Sequence, residues 1–332
     1  MTSRYAAIHD PSLRAGAGDG RPTAQQIVDD NNLNNALTGK VALITGCSSG
    51  IGIETARALK STGATVYVTV RDQAKGQRAL ADILEPGKLE ILLCDQNSLA
   101  SVEACAKEFL HKSSTLNILI NNAGIMALPE RETTKDGFEA QFGVNHLAHF
   151  LLFQRLKTTL LKSATPDFPS RVICVSSSGH RGAGIQFDDL QLSKTYKPWV
   201  GYGQAKTANI YLASEIERRY GTKNLHAFSL HPGGIWTGLQ ERSVLNRADY
   251  EGKEEVDKMM KSPAQGAATT VWAALDEELV GKGGLYLEDC QVASTAKEGV
   301  RGQAGYAPHA YDAEAEARLW RESCKLVGVE DD

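Results

Sequence analysis

Tyr202 and Lys206 are four positions apart in the stretch YGQAK, which lies in a segment with helical spacing. Residues at positions i and i+4 of a helix share one face, so we expect the phenol and the ammonium group to be neighbours. A free phenol has a pKa of about 10, and a nearby positive charge lowers that pKa by favouring the phenolate. The pair could therefore act as a proton donor near neutral pH. Taken alone, the pattern also fits a core tyrosine beside a surface lysine.

A second candidate site lies in VALITGCSSGIGIETARAL, near the start of the chain. A short apolar strand runs into a loop containing Gly46, Gly50 and Gly52, and a helix follows. Such a bare loop lets backbone amides approach a pyrophosphate, with the positive end of the helix dipole facing it. The spacing G-x-x-x-G-x-G differs from the commoner dinucleotide pattern G-x-G-x-x-G. A loop that only turns the chain is the alternative.

Alternating strands and helices must position both candidates. The strands predicted from Val41 onward are continuous apolar runs, which indicates burial on both faces, and helix-length crossovers between them imply a parallel sheet. The sequence thus predicts an α/β, doubly wound parallel sheet of Rossmann type in a single domain, residues 39–332. For residues 1–38 we predict a polar N-terminal extension that packs late or partly frays. For residues 235–263 we predict a substrate loop that lies over the carboxyl edge of the sheet.

Composition narrows the class of protein. The 332 residues are 42% hydrophobic with a net charge of −4, and no basic run suggests a nucleic acid or anionic membrane as partner. The six cysteines form no C-x-x-C pair, which argues against a zinc site or a disulfide framework. The sequence lacks a signal-peptide core and an apolar run that could span a membrane. We therefore predict a cytoplasmic protein with reduced thiols.

Six motifs then follow in a fixed order, TGCSSGIG, NNAG, GVN, VSSS, YGQAK and HPGGIWT. In these motifs and their order the chain resembles the short-chain dehydrogenases/reductases from about Leu37 to its end. The insertion HRGAGIQFDDLQ, the resulting long separation of Ser177 from Tyr202, and GGLYLEDC near the C-terminus are similar to the retinol-dehydrogenase-like branch. The resemblance implies hydride transfer between a nicotinamide cofactor and a carbonyl or alcohol carbon.

The resemblance also implies catalytic roles. Tyr202 is then the general acid/base, and Lys206 both activates it and holds the nicotinamide ribose. Ser177 is expected to hydrogen-bond the substrate oxygen. Ser176 and Ser178 are rivals by composition, and alternation along the strand together with the family resemblance favours Ser177. Asn145 matches the family asparagine that anchors a proton-relaying water.

Further residues are implied to bind the cofactor: Gly46, Ser49, Gly50, Ile51, Gly52, Asp95, Asn121, Gly124, Tyr202, Lys206, Pro232, Gly233 and Thr237. Asp95 resembles the aspartate that contacts the adenine, although a helix N-cap is an alternative for it. Asn121 and Gly124 are expected to border the nicotinamide ribose. The hydroxyl of Thr237 is expected to bond the carboxamide.

The end of the second strand bears on the choice of cofactor. NAD-binding relatives carry an acidic residue there, whereas this chain has Val70 followed by Arg71. A guanidinium matches a 2′-phosphate bidentately, which favours NADP over NAD. Asp72 could swing in and would favour NAD, and the first loop lacks a second basic contact.

Two histidines and three aromatic residues are further candidates for functional roles. His146 and His149 have metal-ligand spacing but no third ligand, so helix packing is the favoured interpretation. Trp199, Trp236 and Phe187 are candidates for an apolar substrate wall. The sequence as a whole predicts an NADP(H)-dependent oxidoreductase that acts on a small-molecule carbonyl or alcohol and can form a homo-oligomer. The alternative is a redox-inactive dinucleotide-binding protein that serves as a sensor, scaffold or template.

Overall fold

A mixed sheet forms the centre of the protein. The computed structural model describes residues 4–296 and 304–331, and within these ranges eight strands follow the order β3-β2-β1-β4-β5-β6-β7-β8. The strands are β1 (Val41–Ile44), β2 (Thr65–Val70), β3 (Leu89–Leu93), β4 (Ile118–Asn121), β5 (Ser170–Val175), β6 (Leu225–His231), β7 (Leu285–Glu288) and β8 (Gln291–Val292). All pairs are parallel except β7 with β8. The strand order reverses between β1 and β4, which confirms the doubly wound fold.

Helices cover both faces of this sheet. They are α1 (Ala24–Asp30), α2 (Ile51–Ser61), α3 (Gln73–Ala79), α4 (Leu99–Lys112), α5 (Ala140–Phe142), α6 (Ala148–Ser163), α7 (Pro198–Tyr220), α8 (Glu254–Met259), α9 (Pro263–Gly266), α10 (Ala268–Leu275) and α11 (Ala313–Val327). Helices α4, α6, α7 and α11 contribute to one apolar cluster, and α1, α2 and α10 contribute to the other. Successive residues of a strand belong to opposite clusters, because side chains alternate between the two faces of the sheet. In β1, Leu43 belongs to the first cluster, and Ala42 and Ile44 belong to the second.

The N-terminal segment is packed more firmly than its polar sequence suggests. Thr23 caps α1 in a capping box with Gln26, and Ile27 and Val28 are fully buried among residues of α2 and α10. The expected frayed extension is therefore not what the structure shows. The apolar partner of α1 is α10, a helix distant in the chain, and local composition carries no sign of it.

Two further expectations concern membranes and thiols. Nowhere in residues 4–296 and 304–331 is a helix both long and apolar enough to cross a bilayer. All six cysteines lie in the described ranges and are buried, and no two of them form a disulfide.

Candidate active site

A cleft of about 820 Å³ opens at the carboxyl edge of the sheet. Loops following β1, β2, β3, β4, β5 and β6 contribute to it, as is typical of ligand sites in doubly wound folds. Thirteen residues of the expected site line the cleft: Gly46, Ser49, Gly50, Ile51, Arg71, Asp95, Gly124, Ser177, Tyr202, Lys206, Pro232, Gly233 and Thr237. Gly52, Asn121 and Asn145 are the expected residues outside its wall.

The glycines of the first loop lie where their neighbours leave no room for a side chain. A Cβ on Gly46, which has φ +75°, would come within 2.8 Å of the Ala123 Cα. A Cβ on Gly52 would lie 2.6 Å from the Gly46 carbonyl oxygen, so this glycine lets α2 pack against the loop. Gly50 precedes α2 and no side chain caps that helix. The first amides of α2 are thus available to a ligand in the cleft.

Asn121 was expected to border the cleft, but it lies outside the cleft wall. It is the last residue of β4, and its side chain is buried with Nδ2 3.8 Å from the Cys174 Sγ. Asn122 lines the cleft instead, and its Nδ2 donates to the Thr45 carbonyl oxygen at 2.8 Å. Strand alternation through ILINNAG is the sequence signal that separates the two asparagines.

The tyrosine, serine and lysine lie together at the ends of α7 and β5. A Cβ on Gly179 would come within 2.8 Å of the Tyr202 ring, so this glycine leaves room for the phenol. Tyr202 shares a hydrogen bond with the Ser177 side chain. The Ser176 hydroxyl instead donates to the backbone carbonyl of Lys206 at 2.7 Å. Of these two serines, Ser177 is the one beside the phenol.

Burial governs the protonation of this pair. It raises the pKa of Tyr202 to about 12, and the Ser177 hydrogen bond opposes that rise. It lowers the pKa of Lys206 to about 8. Lys206 Nζ lies 5.6 Å from the centre of the Tyr202 ring and donates to the Val175 carbonyl at 3.0 Å. The expected lowering of the phenol pKa by the lysine is not found, because desolvation raises that pKa and only the Ser177 hydrogen bond opposes the rise.

Asn145 occupies a π-helical turn, residues 143–147, between α5 and α6. Its side chain accepts from the Ile125 amide at 2.8 Å and donates to the Ile125 carbonyl at 2.9 Å. Its oxygen also faces Gly124, where a Cβ would lie 3.0 Å from Oδ1 and 3.6 Å from the Lys206 Nζ. Asn145 therefore holds the loop after β4 beside the lysine, and the water it was expected to anchor stays a prediction.

The two nearby histidines have structural partners. His149 Nδ1 donates to the Asn145 carbonyl at 2.9 Å, and its Nε2 lies 2.8 Å from the Thr45 hydroxyl. His146 Nε2 bonds the Ser323 hydroxyl at 2.8 Å. Burial lowers the pKa of His149 to about 4 and that of His146 to about 3, so both are neutral at pH 7. The described part of the chain contains no group of metal-ligating side chains.

The loop after β6 closes the cleft opposite the first loop. Gly233 has φ +107°, a conformation that favours glycine. Thr237 accepts from the Leu239 amide at 3.2 Å, and its methyl would lie 3.0 Å from a Cβ on Gly50. These contacts bring the two loops against each other, and a bond from Thr237 to a carboxamide stays a prediction.

Positive charge collects where the second strand ends. Arg71 and Lys75 line the cleft, and neither is within salt-bridge distance of a carboxylate in the described residues. Asp72 caps α3 by accepting from the Lys75 amide at 2.9 Å, so its carboxylate is engaged away from the cleft. Lys75 was missed in the sequence because a lysine in a surface helix carries no signal of its own.

Asp95 lines the cleft at the next strand. Its carboxylate accepts from the Asn97 amide at 3.1 Å and pairs with Lys135 Nζ at 2.9 Å. Ser98 is the N-cap of α4, so the N-cap alternative for Asp95 is wrong.

Many of the side chains that line the cleft are apolar. Trp199 and Trp236 line it, as expected, and Trp199 stands edge-on to Tyr202 at 6.0 Å between ring centres. Other apolar lining residues are Ile125, Met126, Val144, Leu239, Leu245, Tyr250, Val256, Met259 and Met260. Phe187 is not among them, because its ring lies under the Arg318 guanidinium at 4.1 Å. The expectation for Phe187 is therefore wrong.

Comparisons with known proteins agree with this architecture. The model of the short chain dehydrogenase family matches residues 40–248. The chain is 52% identical to short-chain dehydrogenase/reductase prx1 of Penicillium roqueforti, over 95% of this chain and 92% of that protein. It is 37% identical to retinol dehydrogenase 12 of Mus musculus, over 90% of this chain and 89% of that protein. A crystal structure of an uncharacterized protein from Mycobacterium paratuberculosis matches with TM-score 0.66 and 33% identity, over 88% of this chain and 95% of that chain.

The doubly wound sheet and the bare first loop define a protein of the dinucleotide-binding α/β class. More particularly, the chain belongs to the short-chain dehydrogenase family, in its retinol-dehydrogenase-like branch, and is an oxidoreductase of that family.

Proposed function

We propose that the protein is an NADP(H)-dependent oxidoreductase that transfers a hydride between the nicotinamide and a carbonyl or alcohol carbon of an apolar small molecule. The observation that carries this proposal is the position of Tyr202, Ser177 and Lys206 in one cleft with the bare first loop. A redox-inactive dinucleotide-binding protein would not need a buried phenol facing that cleft.

The residues present fit a dinucleotide. A side chain at Gly46 would clash with Ala123, which keeps that position free of side-chain atoms, and the uncapped start of α2 offers amides to a pyrophosphate. Arg71 and Lys75 both line the cleft, and their positive charge supports the proposal that a 2′-phosphate binds there. Asp72 is engaged by α3, which removes the acidic group that would favour NAD.

The chain's own groups would handle the proton. The bound nicotinamide supplies or accepts the hydride. In reduction, the Ser177 hydroxyl bonds the carbonyl oxygen and the Tyr202 hydroxyl gives it a proton, which completes the alcohol. Lys206 holds the ribose and its charge favours proton release from the phenol. Asn145 keeps the Gly124–Ile125 loop beside this group.

The proposed substrate class rests on the apolar part of the cleft lining. Methionine, leucine and tryptophan side chains contribute to that lining, and apolar pocket surfaces favour ligands whose apolar groups they bury. The name of the mouse relative refers to retinol, an apolar alcohol. We propose that the protein works in the cytosol, where NADPH would drive reduction, and that it can form a homo-oligomer.

The proposal is tested by following NADPH fluorescence during incubation with a panel of aldehydes and ketones of increasing apolar size. Consumption of NADPH with formation of the alcohol is the expected result. Binding of NADPH with no turnover across the panel would favour the redox-inactive alternative.

Cofactor choice gives a separate prediction. Arg71→Ala and Lys75→Ala should each weaken NADPH binding by about tenfold or more, because a charge-assisted hydrogen bond to phosphate is lost. NADH binding should hardly change. The measurement is the Kd for each coenzyme at low ionic strength, where screening is weak.

Arg78→Ala is the matched control for these variants. Arg78 lies on the same helix, α3, but does not line the cleft. Equal losses for NADPH and NADH, or equal affinity of the parent for both, would contradict the assignment of Arg71 and Lys75.

A further inference from the structure

A short helix of the substrate loop has little to hold it in place. Helix α8 has six residues and none of them is buried. An isolated helix of this length is unstable in water, so contacts from elsewhere must fix it. Its end matters for the site, because Val256, Met259 and Met260 line the cleft.

Arg21, from the N-terminal segment, supplies such contacts. Its guanidinium donates to the Met259 carbonyl at 3.0 Å and to the Met260 carbonyl at 2.6 Å. These carbonyls are at the C-terminal end of α8, where a positive charge is favourable. Arg21 is only 4% exposed. Its Nε also pairs with Asp19 at 2.8 Å, which satisfies and neutralises the buried charge.

Gln265 hydrogen-bonds both the N-terminal segment around Arg21 and the end of the substrate loop. Its Nε2 donates to the carbonyls of Asp19 and Arg21 at 3.0 and 3.1 Å. Its Oε1 accepts from the Gly18 and Ser262 amides, both at 2.9 Å. The N-terminal segment and the end of the substrate loop are thus held by one buried side chain of α9.

Met260 connects the backbone that Arg21 holds to the wall of the cleft. A Cβ on Gly234 would lie 3.0 Å from the Met260 Sδ, and the Lys261 amide donates to the Gly234 carbonyl at 2.8 Å. Gly234 itself lines the cleft. The methionine is therefore seated on the loop after β6, and its position depends on where the backbone of residues 259–260 is held.

We propose that Arg21 is a positioning residue for the substrate site, which fixes Met259 and Met260 as the wall against which the apolar part of the substrate packs. This proposal rests on the proposed function. Arg21 does not line the cleft, so it acts through the backbone of the loop. Loss of Arg21 frees the wall, and large apolar substrates lose more than small ones because they alone reach it.

The test uses the full chain with NADPH and a series of straight-chain aldehydes from butanal to decanal. Arg21→Met should raise KM for decanal by about tenfold, the discrimination that apolar contacts in a pocket supply. KM for butanal and kcat for butanal should stay near those of the parent. Arg4→Met is the control, since Arg4 belongs to the same segment but bonds the Asp30 carbonyl instead.

A second pair of variants guards against misfolding. Arg21→Lys keeps the positive charge beside Asp19 but lacks the planar fork that reaches two carbonyls, so it should give the same shift in a weaker form. Met260→Ala should reproduce the loss for decanal. Adding it to Arg21→Met should cost less than the sum of the two, because the residues are coupled.

The outcomes separate the two proposals. If the parent reduces neither these aldehydes nor the ketones of the panel above, the proposed function fails. If the parent is active and Arg21→Met and Arg21→Lys change KM for butanal and decanal by the same factor, or change neither, the role of Arg21 is overturned while the proposed function stands.

Discussion

Replacing Tyr202 by phenylalanine is expected to lower turnover by about 10²–10⁴, the usual contribution of a general acid. The change removes one hydroxyl, and with it the proton that the substrate oxygen must receive. The ring keeps its place against Gly179 and Trp199, so the fold and the Kd for NADPH should be retained. The measurement is kcat at saturating NADPH, with thermal unfolding and coenzyme binding in parallel.

Tyr211→Phe is the matched control for this prediction. Tyr211 is a buried tyrosine of the same helix, and its hydroxyl donates to the His309 carbonyl at 2.7 Å, outside the cleft. The Tyr211→Phe variant should be less stable than the parent but should keep the parent's turnover. A Tyr202→Phe variant within about threefold of the parent, well short of general-acid magnitudes, would remove the phenol from the mechanism.

Lys206→Met is expected to change the pH dependence of turnover. Burial lowers the pKa of Lys206 to about 8, so its ammonium charge is present below that pH and lost as pH rises through it. If the charge assists the phenol, kcat for reduction in the parent falls along a basic limb near pH 8. The variant has no ammonium, and its basic limb should move upward toward the pKa of Tyr202, which burial raises to about 12.

The variant should also bind NADPH more weakly, because the ribose loses a hydrogen-bond donor. Turnover is therefore measured against pH at saturating NADPH, so that the binding defect does not enter. Lys194→Met, at an exposed lysine that precedes α7, should leave the profile unchanged. A Lys206→Met variant with normal kcat and an unmoved basic limb would show that another group tunes Tyr202.

The sequence predicted those parts of the site that depend on local order. A strand followed by a glycine loop and a helix has one geometry, so Gly46 and Gly50 lie where expected. The helical spacing of Tyr202 and Lys206 brings both into the cleft. Alternation along β5 separated Ser177 from Ser176, whose hydroxyl turns to the backbone of α7.

The errors concern contacts between distant parts of the chain. Phe187 was expected in the cleft, but its partner Arg318 lies in the C-terminal helix. Segment 1–38 looked loose because the surface that buries Ile27 is provided by α10. The pKa of Tyr202 was expected to fall, but desolvation, which depends on the whole fold, is the larger effect.

The π turn at residues 143–147 places one extra residue in the helix within a single turn. A π turn holds one residue more than an α turn, so deleting a single residue from it would leave an ordinary α-helix whose flanking segments keep nearly the same faces. The loss would be local, because the wider turn that carries Asn145 would close. The Asn145 amide would then no longer be presented to Ile125. A shortened protein could keep a sound sheet and helices yet lose the alignment of the loop after β4 with Lys206.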